Sequence, residues 1–471
     1  MKKYLSVFMI LFLAGGALMA QAKASDNFVL IPGGTFTMGN SVPGKWDEND
    51  ETRHSVKIDS FLCDPYEVKQ SDFEKIMREN PSYFKGKNLP VENVTWFDAI
   101  EYCNALSKAE GLTPVYTVNG DIKKGTASVI WNRYADGYRL LTEAEWEYAC
   151  RAGTSTRYSF GNQVHSDYAN FEGTYPYSIE DNYVHHTDKT VVPSRALHKT
   201  LPVDSVPPNK WGLYNMHGNV SEWCFDWYGE YDVKDSDNPA GSKTGHLRVN
   251  RGGGFNDFGK HLRSSYRSAT NPIDEDENTG FRICRNALTN SAGTSGRAGT
   301  FTTTYDLNIT IPKNPKILVA YFSYSGNTER GAKLIAELTG ADLFKIEMQK
   351  PYAGGIYEAS QKDLGSYYKP PLSKYVKDFN KYDVILLGYP TWWATLPMPV
   401  VTFLEEYNFK GKTVINFSSH GGTIFGETVS ALGKKLPQSY IGVGYEWEYS
   451  RHSKDEIVKW LERNALRSVN R

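Results

Sequence analysis

Two rhythms of apolar residues divide the chain. In its last third, short apolar runs at 317–322 (ILVAYF), 384–388 (VILLG) and 414–417 (VINF) are too brief for helices and predict strands buried on both faces. Each is followed by a stretch of helical spacing, at 328–338, 399–407 and about 426–435, and a last one at about 454–466 ends the chain. Strands and helices in alternation predict an α/β domain with a doubly wound parallel sheet over residues 316–471, whose ligands sit at the carboxyl ends of the strands. Upstream, helical spacing stands out only at 96–108 (WFDAIEYCNALSK) and 143–151 (EAEWEYACR). Thr95 and Thr142 are the natural N-caps, and Thr142 with Glu145 has capping-box spacing. The rest of residues 25–286 is broken by Gly, Pro and Asn into short strands and long loops. Residues 287–315 are rich in Ser, Thr, Gly and Asn and read as a linker, with 305–311 able to pair as a short edge strand.

A length of 471 residues agrees with two cores. Lys2 and Lys3 precede an apolar run at 5–20, and small-residue patterns follow at Ala20-Gln21-Ala22 and Ala22-Lys23-Ala24, so residues 1–24 read as an export signal. The alternative, an uncleaved anchor, is short of the roughly 20 apolar residues a span requires. No cysteine near the cleavage region could carry a lipid, and no later run is long enough to cross a bilayer. The expected location is therefore periplasmic or secreted, with no membrane span after cleavage. A formal net charge of -1, with 23% charged residues, gives no reason to expect nucleic acid as a partner. Export permits disulfides, yet all five cysteines precede residue 290, and an odd count leaves at least one unpaired or bonded to another molecule.

The candidate chemistry lies at three strand ends. The first is S-Y-S-G-N-T (323–328), a hydroxyl-rich turn into a helix. Ser323, Ser325 and Thr328 offer hydroxyls, Gly326 and Asn327 permit a tight backbone, and the free amides and positive dipole end of a helix suit a phosphate dianion. No Lys or Arg lies in the turn, unlike a Walker loop. The second carries Pro390, Thr391, Trp392 and Trp393, where a flat ring can stack on tryptophan. The third, SSHGGTIFG, has Ser419 followed by Gly421, Gly422 and Gly426, which let the backbone approach a ligand closely, while His420 reads as a loop residue.

In this order and spacing, the three segments resemble the flavodoxin family over roughly residues 316–467. The resemblance implies FMN as cofactor. Ser323, Ser325, Gly326, Asn327 and Thr328 would hold its phosphate, Thr391 and Trp392 would flank its ring, and the loop at 419–426 would close the other side. From Lys316 onward, 16 Asp plus Glu stand against 20 Lys plus Arg, so the acidic balance by which flavodoxins steer toward basic partners is missing and the redox partner is left open.

The first domain, from about residue 28 to 285, resembles the formylglycine-generating enzymes, which convert a sulfatase cysteine or serine to formylglycine. FVLIPGGTFTMGN, NLPVENVTWFDAIEYCNAL, YRLLTEAEWEYACRAGT, WGLYNMHGNVSEWCFDWY, RVNRGGGF and NTGFRICRN carry the likeness. It implies an irregular α+β fold of the C-type-lectin-like kind over residues 25–286. Oxygen-dependent members bind copper through two cysteines five residues apart after an Arg-Gly-Gly segment. Counting from Arg251, those positions hold Asp257 and Leu262, which cannot replace two soft thiolates. Asp257 with His261 could ligate another metal, although polar loop residues are the plainer reading. The resemblance also implies a structural calcium on Asn215, Gly218, Val220 and Glu222. A second calcium site, beginning at Asn170 and Phe171, has no acidic counterpart near Leu197. A Cys150–Cys284 disulfide is implied too, with Cys284 one residue later than the family pattern.

Together these readings predict an exported FMN-binding electron-transfer protein fused to a formylglycine-generating-enzyme-like domain without the oxidase activity, the first domain binding a peptide or protein ligand. The alternatives are an FMN-dependent reductase of a small molecule such as a quinone, and a binding protein without catalysis.

Overall fold

A computed structural model describes residues 27–42, 49–122, 127–174, 194–287, 299–305, 311–352, 355–420, 426–447 and 453–466. The export-signal reading of residues 1–24 lies outside the described residues, as do Gly421 and Gly422.

Among the described residues, the first domain has three α-helices, α1 (Gln70–Met77), α2 (Trp96–Ala109) and α3 (Glu143–Arg151). The last two form where apolar spacing predicts them, and each opens with a complete capping box, Thr95 with Asp98 and Thr142 with Glu145. Helix α1 has no side-chain cap. Packing sustains it instead: Phe73 stacks on Tyr102 of α2 at 5.4 Å and meets Phe281 edge-on.

Around these helices the described residues form several small sheets. One runs Val29–Ile31, Phe61–Cys63, Ile283–Asn286, Arg139–Leu140, and another Ser268–Thr270, Arg248–Arg251, Ser221–Trp227, Thr279–Gly280. A third corrects the linker reading. Thr300–Tyr305 is an inner strand, antiparallel to Ser128–Asn132 and parallel to Thr244–Gly245, so residues 300–305 belong to the first domain's sheet. Threonines at alternate positions suit a pleated surface, and Phe301 packs against Phe225 at 6.0 Å.

Sheets this small cannot organise a core alone, and buried ion pairs supplement them. Helix α3 is buried along its whole length, and its three glutamates each meet arginine: Glu143 with Arg267 (2.6 Å), Glu145 with Arg139 (2.6 Å), and Glu147 with both Arg151 (2.8 Å) and Arg251. Arg263–Glu51 and Arg282–Glu222, each 2.6 Å, extend the pattern. Buried charges of this kind persist only when paired and hydrogen-bonded.

The second domain is a parallel sheet in the order Asp342–Lys345, Ile317–Tyr321, Val384–Pro390, Thr413–Ser419, Tyr440–Ile441, with Tyr445–Glu446 also pairing to Thr413–Ser419. This is the flavodoxin-like strand order 2-1-3-4-5. The three strands expected from apolar runs are its centre, buried on both faces. Its helices are α4 (Asn327–Thr339), α5 (Ile356–Ser366), α6 (Met398–Glu406), α7 (Thr428–Lys435) and α8 (Lys454–Arg463). Ile335 of α4 and Trp460 of α8 pack on one face, in a cluster with Val319 and Phe417. Phe403 of α6 and Leu432 of α7 pack on the other, with Leu318 and Val414.

The second face also receives the first domain, because Leu247 and Ala269 belong to the same apolar cluster. Around them Lys434 lies 3.5 Å from Asp50, and Tyr266 and Ser268 donate hydrogen bonds to Glu427. The two domains are thus docked through α7. Among the described residues, no helix is long and apolar enough to cross a membrane.

Candidate functional site

Parallel pairing brings the three sequence-predicted loops to one edge. Tyr321 is in register with Gly388, and Pro390 with Ser419, so the chain leaves all three central strands on the same side. Side chains then tie the loops together. Thr328 Oγ1 lies 2.9 Å from Ser419 Oγ, joining the first loop to the third. Thr391 Oγ1 lies 2.5 Å from Ser418 Oγ, and the Thr391 amide donates to Ser419 O at 2.8 Å, joining the second to the third.

The first loop turns into α4 at Gly326, whose φ of 89° is the left-handed conformation that glycine adopts without cost. A Cβ built there meets nothing within 4 Å, so the turn is open on its outer side. The Gly326 amide donates to Ser323 Oγ at 3.2 Å, and Ser325 is exposed. Thr328 is buried beneath the turn. The first amides of a helix have no partner within it and face outward at such a turn. Hydroxyls, amides and an open N-terminus suit a phosphate ester.

Trp392 stands at the second loop half-buried, edge-on to Phe322 at 5.3 Å and near Tyr324 (6.3 Å) and Tyr352 (6.1 Å). Trp393 turns the other way and donates from Nε1 to Ser360 Oγ at 3.1 Å. Tyr352 and Ser360 are site neighbours that sequence reasoning missed. Ser360 lies on α5. At the third loop Gly426 approaches the second: a Cβ there would sit 2.6 Å from Ala394 O. His420 stands 3.9 Å from the Glu446 carboxylate.

Of the predicted calcium donors in the first domain, Glu222 is otherwise engaged. Both Glu222 oxygens accept from Arg282, and Oε2 also accepts from Trp146 Nε1 at 2.8 Å. Asn215 Nδ2 donates to Glu67 Oε2 at 2.8 Å. Burial raises the Glu67 carboxyl to about 8, with Glu222 adding to the shift. A carboxylate already neutralised by a buried guanidinium does not serve a hard cation, so Glu222 does not fit the role of a calcium ligand.

The Cys150–Cys284 disulfide is likewise corrected. Cys150, at the end of α3, faces His217 Nε2 (3.6 Å) and Ser264 Oγ (3.7 Å). Cys284 lies in a strand directly opposite Cys63, and no disulfide joins it to Cys150. Burial pushes the Cys150 thiol up to about 12 and His217 down to about 4, so neither is charged at neutral pH.

Asp257 and Leu262 part company. Leu262 is core, packed with Tyr158, Ala169 and Phe171. Asp257 is buried and accepts at Oδ2 from the Gly254 amide (2.7 Å) and Asn278 Nδ2 (2.8 Å), with Oδ1 3.8 Å from His261 Nδ1. Burial raises the carboxyl pKa of Asp257, and also of Glu427, which the second domain brings beside it.

Comparison with known proteins accords with both halves. Residues 16–287 match the sulfatase-modifying factor enzyme 1-like domain. The chain belongs to this family. Residues 316–464 of this family member match the flavodoxin model. The "Chaperone protein LppX" of Paenibacillus barcinonensis is 33% identical over 54% of this chain and 89% of its own length. The formylglycine-generating enzyme of Mus musculus is 32% identical over 56% of this chain and 76% of its own. A solved chain from Bacteroides eggerthii that carries the name flavoprotein is 31% identical, covering 32% of this chain and 99% of that one, with a TM-score of 0.31. In this sulfatase-modifying-factor relative, the aspartate and leucine at 257 and 262 leave no thiol pair after the Arg-Gly-Gly segment.

Proposed function

We propose that this protein binds FMN in its second domain and transfers electrons outside the cytoplasm, while its first domain positions a ligand without making formylglycine. The observation that carries the reading is the joining of three loops at one sheet edge through Thr328–Ser419 and Thr391–Ser418. Bound there, FMN would supply electron transfer through its isoalloxazine ring. Ser323, Ser325 and Thr328, with the amides at Gly326 and Asn327, would hold the phosphate. Thr391 and Trp392 would lie against the ring, with Ser419 and Gly426 on its other side. Half-buried Trp392 favours a flat ligand, and the uncharged first turn favours a phosphate met by hydrogen bonds rather than by lysine.

Titration of the folded, flavin-free protein with FMN is expected to quench flavin fluorescence at one equivalent per chain. A folded protein that leaves the fluorescence unchanged sinks the reading of this domain.

For the first domain, incubation with copper, oxygen and a cysteine-containing sulfatase peptide is expected to yield no aldehyde. Soft thiolates select a cuprous ion, and here one matching position holds a buried carboxylate and the other a core leucine. An aldehyde-bearing peptide from that mixture would overturn this part of the proposal.

A further inference from the structure

Three ligating groups that are dispersed in sequence meet where the domains dock. Asp257 and His261 come from the first domain, the one just before the short helix Gly259–Leu262 and the other within it, and Glu427 is the residue before α7. One ligand atom from each lies within 4.8 Å of the others, and all three residues are buried. An ion bound at about 2.0–2.2 Å to each would hold such atoms about 3–4 Å apart, a spacing the Asp257–His261 pair at 3.8 Å already has, while the widest pair must close by up to about 1–2 Å.

The surroundings hold each carboxylate by one oxygen. Asp257 Oδ2 takes its two donors from Gly254 and Asn278, which leaves Oδ1 on the His261 side. Glu427 Oε2 takes the Tyr266 hydroxyl (3.0 Å) and the Ser268 hydroxyl (2.8 Å). The His261 ring is steadied against Tyr266, 4.8 Å between centroids. Ligands oriented by outer donors of this kind are the usual architecture of a metal centre. Two carboxylates beside one imidazole also concentrate negative charge away from water, a cost that a cation removes.

From this geometry we propose that Asp257, His261 and Glu427 bind a divalent first-row transition-metal ion across the boundary between the two domains. One nitrogen and two hard oxygens suit iron(II), manganese(II), cobalt(II) or zinc(II) rather than copper(I), which selects sulfur, or calcium, which takes oxygen alone. Three protein ligands leave coordination positions for water or a small ligand. The site also links the domains physically. The Glu427 amide donates to Ala394 O (2.7 Å) in the loop after the Val384–Pro390 strand, so an ion held by Glu427 bears on that loop as well. The proposal does not depend on flavin binding.

The test uses the full-length protein, stripped with a chelator and titrated with cobalt(II), followed by visible absorption and by metal analysis after gel filtration. The expected result is ligand-field absorption that saturates at one equivalent per chain. Glu427→Gln, which preserves shape and can still accept from Tyr266 and Ser268, should weaken binding at least 100-fold while circular dichroism stays unchanged. His261→Gln should do the same. Folded wild-type protein that retains no cobalt overturns the proposal, as does undiminished binding in both folded variants.

Discussion

Glu147→Ala is expected to lower the free energy of unfolding by about 3–5 kcal/mol, the cost of removing one partner from a buried ion pair. Glu147 is fully buried on α3. Its Oε1 accepts from the Gly39 amide (2.8 Å) and Arg151 Nε (2.9 Å), and its Oε2 accepts from Arg251. Alanine would leave two buried guanidinium groups short of their counter-charge and one buried amide without an acceptor, none of which water can reach cheaply. The comparison is Glu337→Ala, which breaks an exposed pair with Lys454 at 3.4 Å and should change stability by less than about 1 kcal/mol. Urea unfolding of both variants checks the contrast. Equal effects would mean that the buried network contributes no more than surface charge does.

Thr328→Ala is expected to weaken FMN binding tenfold or more. In the proposed site its hydroxyl serves both the phosphate and Ser419, at a point where the first and third loops meet. A hydrogen bond to a charged group contributes about 1.5–3 kcal/mol, and one such bond accounts for at least a tenfold change. Thr328→Ser keeps the hydroxyl and should restore most of the affinity. Trp392→Ala makes the complementary change: it removes the aromatic surface beside Phe322 and should shift the flavin absorption and potential more than it changes phosphate recognition. Fluorescence titration with FMN and with riboflavin separates the two. If Thr328→Ala binds FMN like the unaltered protein, the phosphate is not held by this loop.

What could be read from the chain itself is what local interactions encode. Apolar runs on the scale of a strand mark Ile317–Tyr321, Val384–Pro390 and Thr413–Ser419, because a parallel strand covered by helices is apolar on both faces. Thr95 and Thr142 announce α2 and α3, because a capping box is complete within four residues. The three hydroxyl- and glycine-rich loops follow from those strands, since a parallel sheet puts all its carboxyl ends on one edge.

Other features depend on residues far apart in sequence, and only the tertiary structure decides them. Helix α1 forms because Phe73 finds Tyr102 and Phe281, although its own cap is missing. Thr300–Tyr305 joins the first domain's sheet because Ser128–Asn132 presents an open edge, whereas its composition alone is that of a linker. Cys284 faces Cys63 and not Cys150 because strand register places it there. Glu222 is committed to Arg282, 60 residues away, and so is not available as a calcium ligand. Asp257 and His261, five positions inclusive, are legible as neighbours, but the third member of their cluster arrives from the other domain: Glu427 lies 161 residues beyond the Tyr266 that holds it. Short-range order can be encoded by neighbouring side chains, whereas these contacts exist only after two cores have formed and docked through α7, and no local pattern specifies that event.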